Sequence, residues 1–169
     1  MAGTLARTLE EFLTRYQLAF GLDQDARLAA ARRQRRVDGA PETLRPTVRP
    51  FCDHLIRSRE RARRAGTHPR ADSTIEGTLS IVRDLARFLA DERDKTEWAT
   101  VQTVDVEAFL NAQFANRRRR LSTARQFFRW ARRNKLVLVD PTTAITLSPS
   151  RGFAGKTLTI PEQRRLFRR

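Results

Sequence analysis

The chain has 169 residues, with 34 Lys and Arg against 19 Asp and Glu, a formal charge of +15 and a sequence pI of about 11.6. That length supports one domain with a core, or one domain plus an appended helical segment. The charge makes nucleic acid, or an anionic membrane surface, the leading partner class. A single cysteine, Cys52, excludes an internal disulfide framework; with only His54 nearby it makes a poor metal site, so no metal and no cofactor are expected. No apolar run approaches the roughly 18 to 20 residues of a membrane span, and the amino terminus lacks the charged, apolar, small-residue order of a secretory signal. The expectation is a cytoplasmic protein with no membrane partner.

Residues 4–20, TLARTLEEFLTRYQLAF, have the spacing of an amphipathic helix, with Leu5, Leu9, Phe12, Leu13, Tyr16 and Phe20 near one face and Gly21 ending it. Tyr16, the only tyrosine, reads as core or interface packing on that stripe. A second helical pattern, rich in Ala and Arg, covers 24–37 and stops at Gly39-Ala40-Pro41. Pro46 and Pro50 confine the next helix to about 50–65, with Pro50 in its first turn, and 66–70 reads as a linker. Ser73 and Glu76 have capping-box spacing at the start of a helix running to about Glu92, whose stripe is Ile75, Leu79, Val82, Leu85, Phe88 and Leu89. Thr103 is a candidate cap for a helix through Phe114, with Asp105 and Glu107 in its first turn.

Net charge divides unevenly: residues 1–66 carry +6, 67–115 carry −4 and 116–169 carry +13. The last excess centres on NRRRRLSTARQFFRWARRNKLVLVDP, residues 116–141. Leu121, Ala124, Phe127, Phe128 and Ala131 recur at helix spacing and face inward, while Arg118, Arg125, Arg129, Arg132 and Arg133 fall mainly on other faces. The run Arg117, Arg118, Arg119, Arg120 at a helix start is locally unfavourable, because the positive dipole end repels cations and the guanidiniums repel one another. An external polyanion removes that conflict; a solvated basic face is the alternative. The dominance of Arg over Lys suits bidentate contacts to phosphate or guanine edges, though a GC-rich genome gives the same bias. Residues 136–139 are apolar but truncated by Asp140-Pro141, which makes them an extended connector. Residues 148–156 read as a second linker, and TIPEQRRLFRR as the first turns of a new helix.

Taken in order, STIEGTLSIVRDLARFL, W-x5-DVEAFL, RRRRLSTARQFFRWARRNKLVLVDPT, the linker and TLTIPEQRRLF resemble the core-binding domain of tyrosine recombinases of the phage-integrase family. The resemblance covers about Asp72 to Phe167. Its most specific part is the Arg-Leu-x3-Arg-x-Phe-Phe-x-Trp helix, the Asp-Pro exit and the linker leading to Leu-Thr-x-Pro-Glu. It implies an all-α fold, a small SAM-like helical bundle, at 67–147, preceded by a helical extension at 1–66 and followed at 148–169 by a linker and the start of a catalytic domain. The catalytic set that the family implies, an Arg, a Lys, a His-x-x-Arg cluster, a further His or Trp and a Tyr nucleophile, has no counterpart in these residues. A non-catalytic DNA-binding chain, without a small-molecule substrate, is therefore expected.

The partners implied are double-stranded DNA and, on it, other recombinase protomers, in a nucleoid-associated protein. The candidate contacts on the basic helix are Arg117, Arg118, Arg119, Arg120, Arg125, Arg129, Arg132 and Arg133, with Lys135 just after it. Ser122, Thr123 and Gln126 offer shorter contacts, Thr74 and Thr78 are secondary candidates, and Arg151 and Lys156 would track the backbone along the linker. Ordinary surface solvation competes with each assignment. Trp98, Phe127, Phe128 and Trp130 invite stacking on single strands, but their placement on or beside the stripe favours core packing. The competing function is a basic helical module that binds protein or RNA.

Overall fold

The computed structural model describes residues 24–112 and 116–147, together with positions 8, 9, 12, 13, 15, 16 and 160. Between 24 and 147 the chain forms α1 (Gln24–Asp38), α2 (Arg45–Arg64), α3 (Asp72–Arg93), a 3₁₀ turn (Trp98–Thr100), α4 (Thr103–Ala112) and α5 (Arg117–Arg133), with no strand among the described residues. The fold is all helical. Of the helix expected at 4–20 only scattered positions are described; Gly21, 113–115 and both regions expected at 148–169, apart from Ile160, lie outside the described residues.

α3 is the central helix and touches each of the other four. Its stripe of Ile75, Leu79, Val82, Leu85, Ala86 and Leu89 is buried along the whole length, as a 3.6-residue period requires of a helix covered on several sides. Val48, Phe51, Cys52 and Leu55 of α2 pack against it, as do Val106, Phe109 and Leu110 of α4 and Leu121, Ala124, Phe127, Phe128 and Ala131 of α5. Val37, Ala40 and Leu44 belong to the same cluster, so the core does not divide at residue 66. The segment expected as an extension is part of the bundle from α1 onward.

Polar contacts set how the helices meet. The Asp72 carboxylate at the start of α3 accepts from both Arg33 of α1 and Arg59 of α2, two arginines that are themselves buried. Arg32 adds an ion pair to Glu76 at 2.9 Å, and Arg87 of α3 donates to the Gly39 carbonyl at 2.8 Å. The capping box expected from Ser73 and Glu76 does not form: α3 has no side-chain cap, Ser73 lies inside its first turn, and Glu76 is taken by Arg32. α2 begins at Arg45, five residues before the expected start, with Pro46 in its first positions and Pro50 inside the helix. Proline's missing N–H costs nothing at Pro46, where the amide would lack a helical partner anyway.

Around the 3₁₀ turn, Trp98 is buried and donates its indole N–H to the Leu44 carbonyl at 3.0 Å. Thr103 is the first residue of α4 and not its cap. Asp105 instead reaches back to accept the Gln102 backbone N–H at 2.9 Å, while its other oxygen takes Arg93 at 2.8 Å. α5 ends in a Schellman motif, in which the Leu136 N–H closes on the Ala131 carbonyl at 2.9 Å and the Lys135 N–H on Arg132 at 3.0 Å, with Lys135 left-handed at φ 58°. Residues 136–139 make no strand, in keeping with a connector, and Asp140 then turns the chain by accepting the Thr142 N–H and hydroxyl at 2.9 and 2.6 Å.

Asp105 gives a stability prediction. Burial alone pushes its carboxyl up, but the Gln102 N–H, Arg93 and Lys95 outweigh burial and hold it below the usual carboxylate range. A depressed folded pKa contributes stability that is present above the unfolded value of about 3.9 and is lost as pH falls through the folded value. Asp105→Ala is expected to cost about 1 to 3 kcal/mol at pH 7. In urea titrations the gap between wild type and variant should shrink between pH 5 and pH 2; a constant gap would show that the ionised carboxylate is not what stabilises α4.

Candidate nucleic-acid interface

The packing that buries Phe127 and Ala131 determines where the arginines of α5 go. Arg118, Ser122, Arg125, Gln126, Arg129 and Arg133, at helix spacing, line one side of an open groove of about 840 Å³. The opposite side comes from His54 and Arg57 of α2 and from Arg70 in the connection to α3. Leu121, Trp130, Asn134 and Leu147 complete the lining. Among the described residues, six arginines from three segments thus face one space, and no carboxylate is among those that line it. Burial first, and then Arg61, Arg57, Arg70 and Arg133, push the His54 imidazole below its ordinary value, which registers the positive field on that side of the bundle.

The remaining candidates separate into distinct environments. Arg120 is buried: its guanidinium lies 4.5 Å from the centroid of the Phe109 ring and donates to the Phe109 carbonyl at 3.3 Å, so it ties α5 to α4 and does not face the groove. Thr123 is buried too. Both placements have the same cause. Positions 120 and 123 lie one turn before the core residues Ala124 and Phe127, so they belong to the inward face. Arg117 donates to Asn111 at 2.6 Å, outside the groove. Arg125 lines the groove while donating to the Ile145 carbonyl, which pins the returning chain across α5.

Arg119 points to a different neighbour. It lies against Gly77 of α3 so closely that a β-carbon there would collide with its guanidinium. Thr74 and Thr78 share that side of α3, and the Thr78 hydroxyl is bonded to the Thr74 carbonyl at 2.9 Å. Arg132 and Lys135 are exposed and outside the groove lining. Arg151 and Lys156 lie outside the described residues. The sequence-level reading missed His54, Arg57 and Arg70. His54, Arg57 and Arg61 recur at three- and four-residue spacing on α2, the same helical signal that marks the arginines of α5. Arg70 sits in an irregular connection and has no such signature.

The aromatic residues are core elements. Trp98, Phe127 and Phe128 are buried, and Trp130 is 8 % exposed, its edge reaching the groove. Tyr16 does not join them: it is 60 % exposed, with its ring 4.6 Å from that of Phe12. Among the described residues no group of three or more His, Cys, Asp or Glu is placed to hold a metal ion, and no helix is long and apolar enough to cross a membrane.

The bundle and its groove define a small all-helical module with one strongly cationic face. Residues 48–135, just over half of the chain and spanning α2 to α5, match the family model described as phage integrase, N-terminal SAM-like domain. The chain belongs to that family. No curated protein and no solved structure matches it.

The two environments of arginine make different predictions in thermal or urea unfolding. Arg120→Ala should cost about 1 to 3 kcal/mol, through the lost ring contact and an unpaired carbonyl. Arg129→Ala, exposed on the groove, should stay within about 0.5 kcal/mol of wild type. Equal effects would contradict the assignment of Arg120 to the core.

Proposed function

We propose that the groove binds the backbone of double-stranded DNA, and that the chain is the core-binding part of a tyrosine-type site-specific recombinase, acting in DNA integration and recombination. The observation that carries this reading is the convergence of Arg57, Arg70, Arg118, Arg125, Arg129 and Arg133 on one groove that has no carboxylate among its described lining residues. Guanidiniums fixed on helices offer forked donors to phosphate oxygens, and their mutual repulsion in the free protein is relieved when phosphates arrive. Ser122, Gln126 and Asn134 lie between the arginines and supply neutral donors for the same backbone or for base edges. The family membership of residues 48–135 supports the same assignment. Other protomers on the same DNA are the further partners of this reading, and association with the nucleoid is its cellular counterpart.

In this proposal the chain supplies recognition and not chemistry. Strand cleavage by a phosphotyrosine route needs a tyrosine at the scissile phosphate with cations around the transition state. The chain's one tyrosine, Tyr16, packs on Phe12. Incubation with nicked suicide substrates is expected to give no covalent protein–DNA adduct, and trapping one would overturn the non-catalytic part of the proposal.

DNA contact is tested by fluorescence-anisotropy titration of duplex DNA over a salt series. The wild-type chain is compared with an Arg118→Ala, Arg129→Ala, Arg133→Ala triple variant. Each phosphate contact contributes about −0.9 to the slope of log affinity against log salt, so the variant's slope should be shallower by about 2.7. Affinity that is unchanged in the variant would place binding elsewhere on the surface. Equal competition by RNA and heparin at matched salt would favour the less specific RNA- or protein-binding reading.

A further inference from the structure

We infer that His54 is a direct phosphate ligand of the groove and takes up a proton as nucleic acid binds, so that affinity is set by pH as well as by salt. The inference rests on the reading that the groove holds a nucleic-acid backbone. His54 is half-buried on α2 and lines the groove. Behind it the site is apolar: its ring lies 6.3 Å from Phe51, nearly parallel at 21°, and 6.1 Å from Trp130. In front it shares the groove with the arginines.

Among the described residues, the charges that bear on the imidazole come from three segments: Arg57 and Arg61 on α2 itself, Arg70 in the α2–α3 connection and Arg133 on α5. All are positive. Arg118, Arg125 and Arg129 add to them across the groove, and Asp53, the adjacent carboxylate in sequence, is exposed and outside the lining. Burial and this field keep the imidazole neutral near pH 7 in the unbound chain. A neutral imidazole has one donor and one acceptor nitrogen, whereas the protonated ring donates from both. A phosphate entering the groove reverses the local field, offsets the arginine repulsion and supplies an acceptor. Protonation is therefore favoured in the complex and disfavoured outside it, and by linkage lower pH must tighten binding.

The full chain contains one other histidine, His68, exposed in the α2–α3 connection and outside the groove lining, which serves as an internal control. The first measurement is an NMR pH titration of the two histidine ring resonances from pH 5 to 8, with and without a saturating duplex. The second is duplex affinity at constant ionic strength at pH 5.5 and 7.5 for wild type, His54→Gln and His68→Gln. The His54 midpoint is expected to rise by about one unit on binding, and wild type to gain about fivefold more affinity than His54→Gln on going from pH 7.5 to pH 5.5. His68→Gln should behave as wild type. A His54 midpoint that is the same in both states, or a pH gain retained in His54→Gln, overturns the inference. If binding depends on Arg118, Arg129 and Arg133 while His54 is unmoved, this inference alone fails. If the duplex does not bind, or binds without those arginines, the groove reading fails with it.

Discussion

Phe127 is fully buried, with its ring centroid 4.4 Å from Trp98, 5.1 Å from Phe51, 5.3 Å from Phe128 and 6.0 Å from Trp130. These rings come from α2, the 3₁₀ turn and α5, so one tilted and edge-to-face cluster joins segments far apart in sequence. A buried aromatic ring of this kind is worth on the order of 3 to 5 kcal/mol when truncated. Its larger consequence is orientation. A helix whose Phe127 and Phe128 are locked in place cannot rotate about its axis, and that rotation decides which arginines face α2 across the groove. The cationic surface thus depends on an apolar contact on the reverse side of the same helix.

Net charge is a poor guide to which arginines meet a ligand. Arg33, Arg59 and Arg120 are all buried. The first two share Asp72 and hold α1 and α2 to the start of α3, while the third caps the ring of Phe109. Such groups must be paired or hydrogen-bonded, because an uncompensated buried charge is costly. They consequently serve the fold and subtract from the charge available outside. The groove arginines differ in having no carboxylate among the described residues that line the groove with them, and that arrangement of charge distinguishes a candidate binding surface from a merely basic protein.

The all-helical class, the inward stripe of α5 and the core placement of Phe127 and Phe128 were legible because a 3.6-residue period acts locally and is written in consecutive turns. The boundaries were less so. The expected split at residue 66 followed the connection around Pro69, but whether a helix joins a core is decided by partners distant in sequence, here Val48, Phe51 and Leu55 against α3 and α5. Caps failed for a related reason: Glu76 had a choice between the backbone near Ser73 and Arg32, and tertiary structure made it. On the site itself, one wall of the groove could be read from α5. The other wall could not be placed, because nothing in the sequence states that α2 and the residue-70 connection lie opposite it.

After α5 the chain does not run away from the bundle. Lys135 turns it, Asp140 turns it again, and the guanidinium of Arg125 holds the Ile145 carbonyl, which leaves Leu147 on the rim of the groove. The bundle thus fixes where the described chain leaves it: beside the groove arginines, on the same side as the exposed face of α5. Two turns and one guanidinium within the bundle set that exit point.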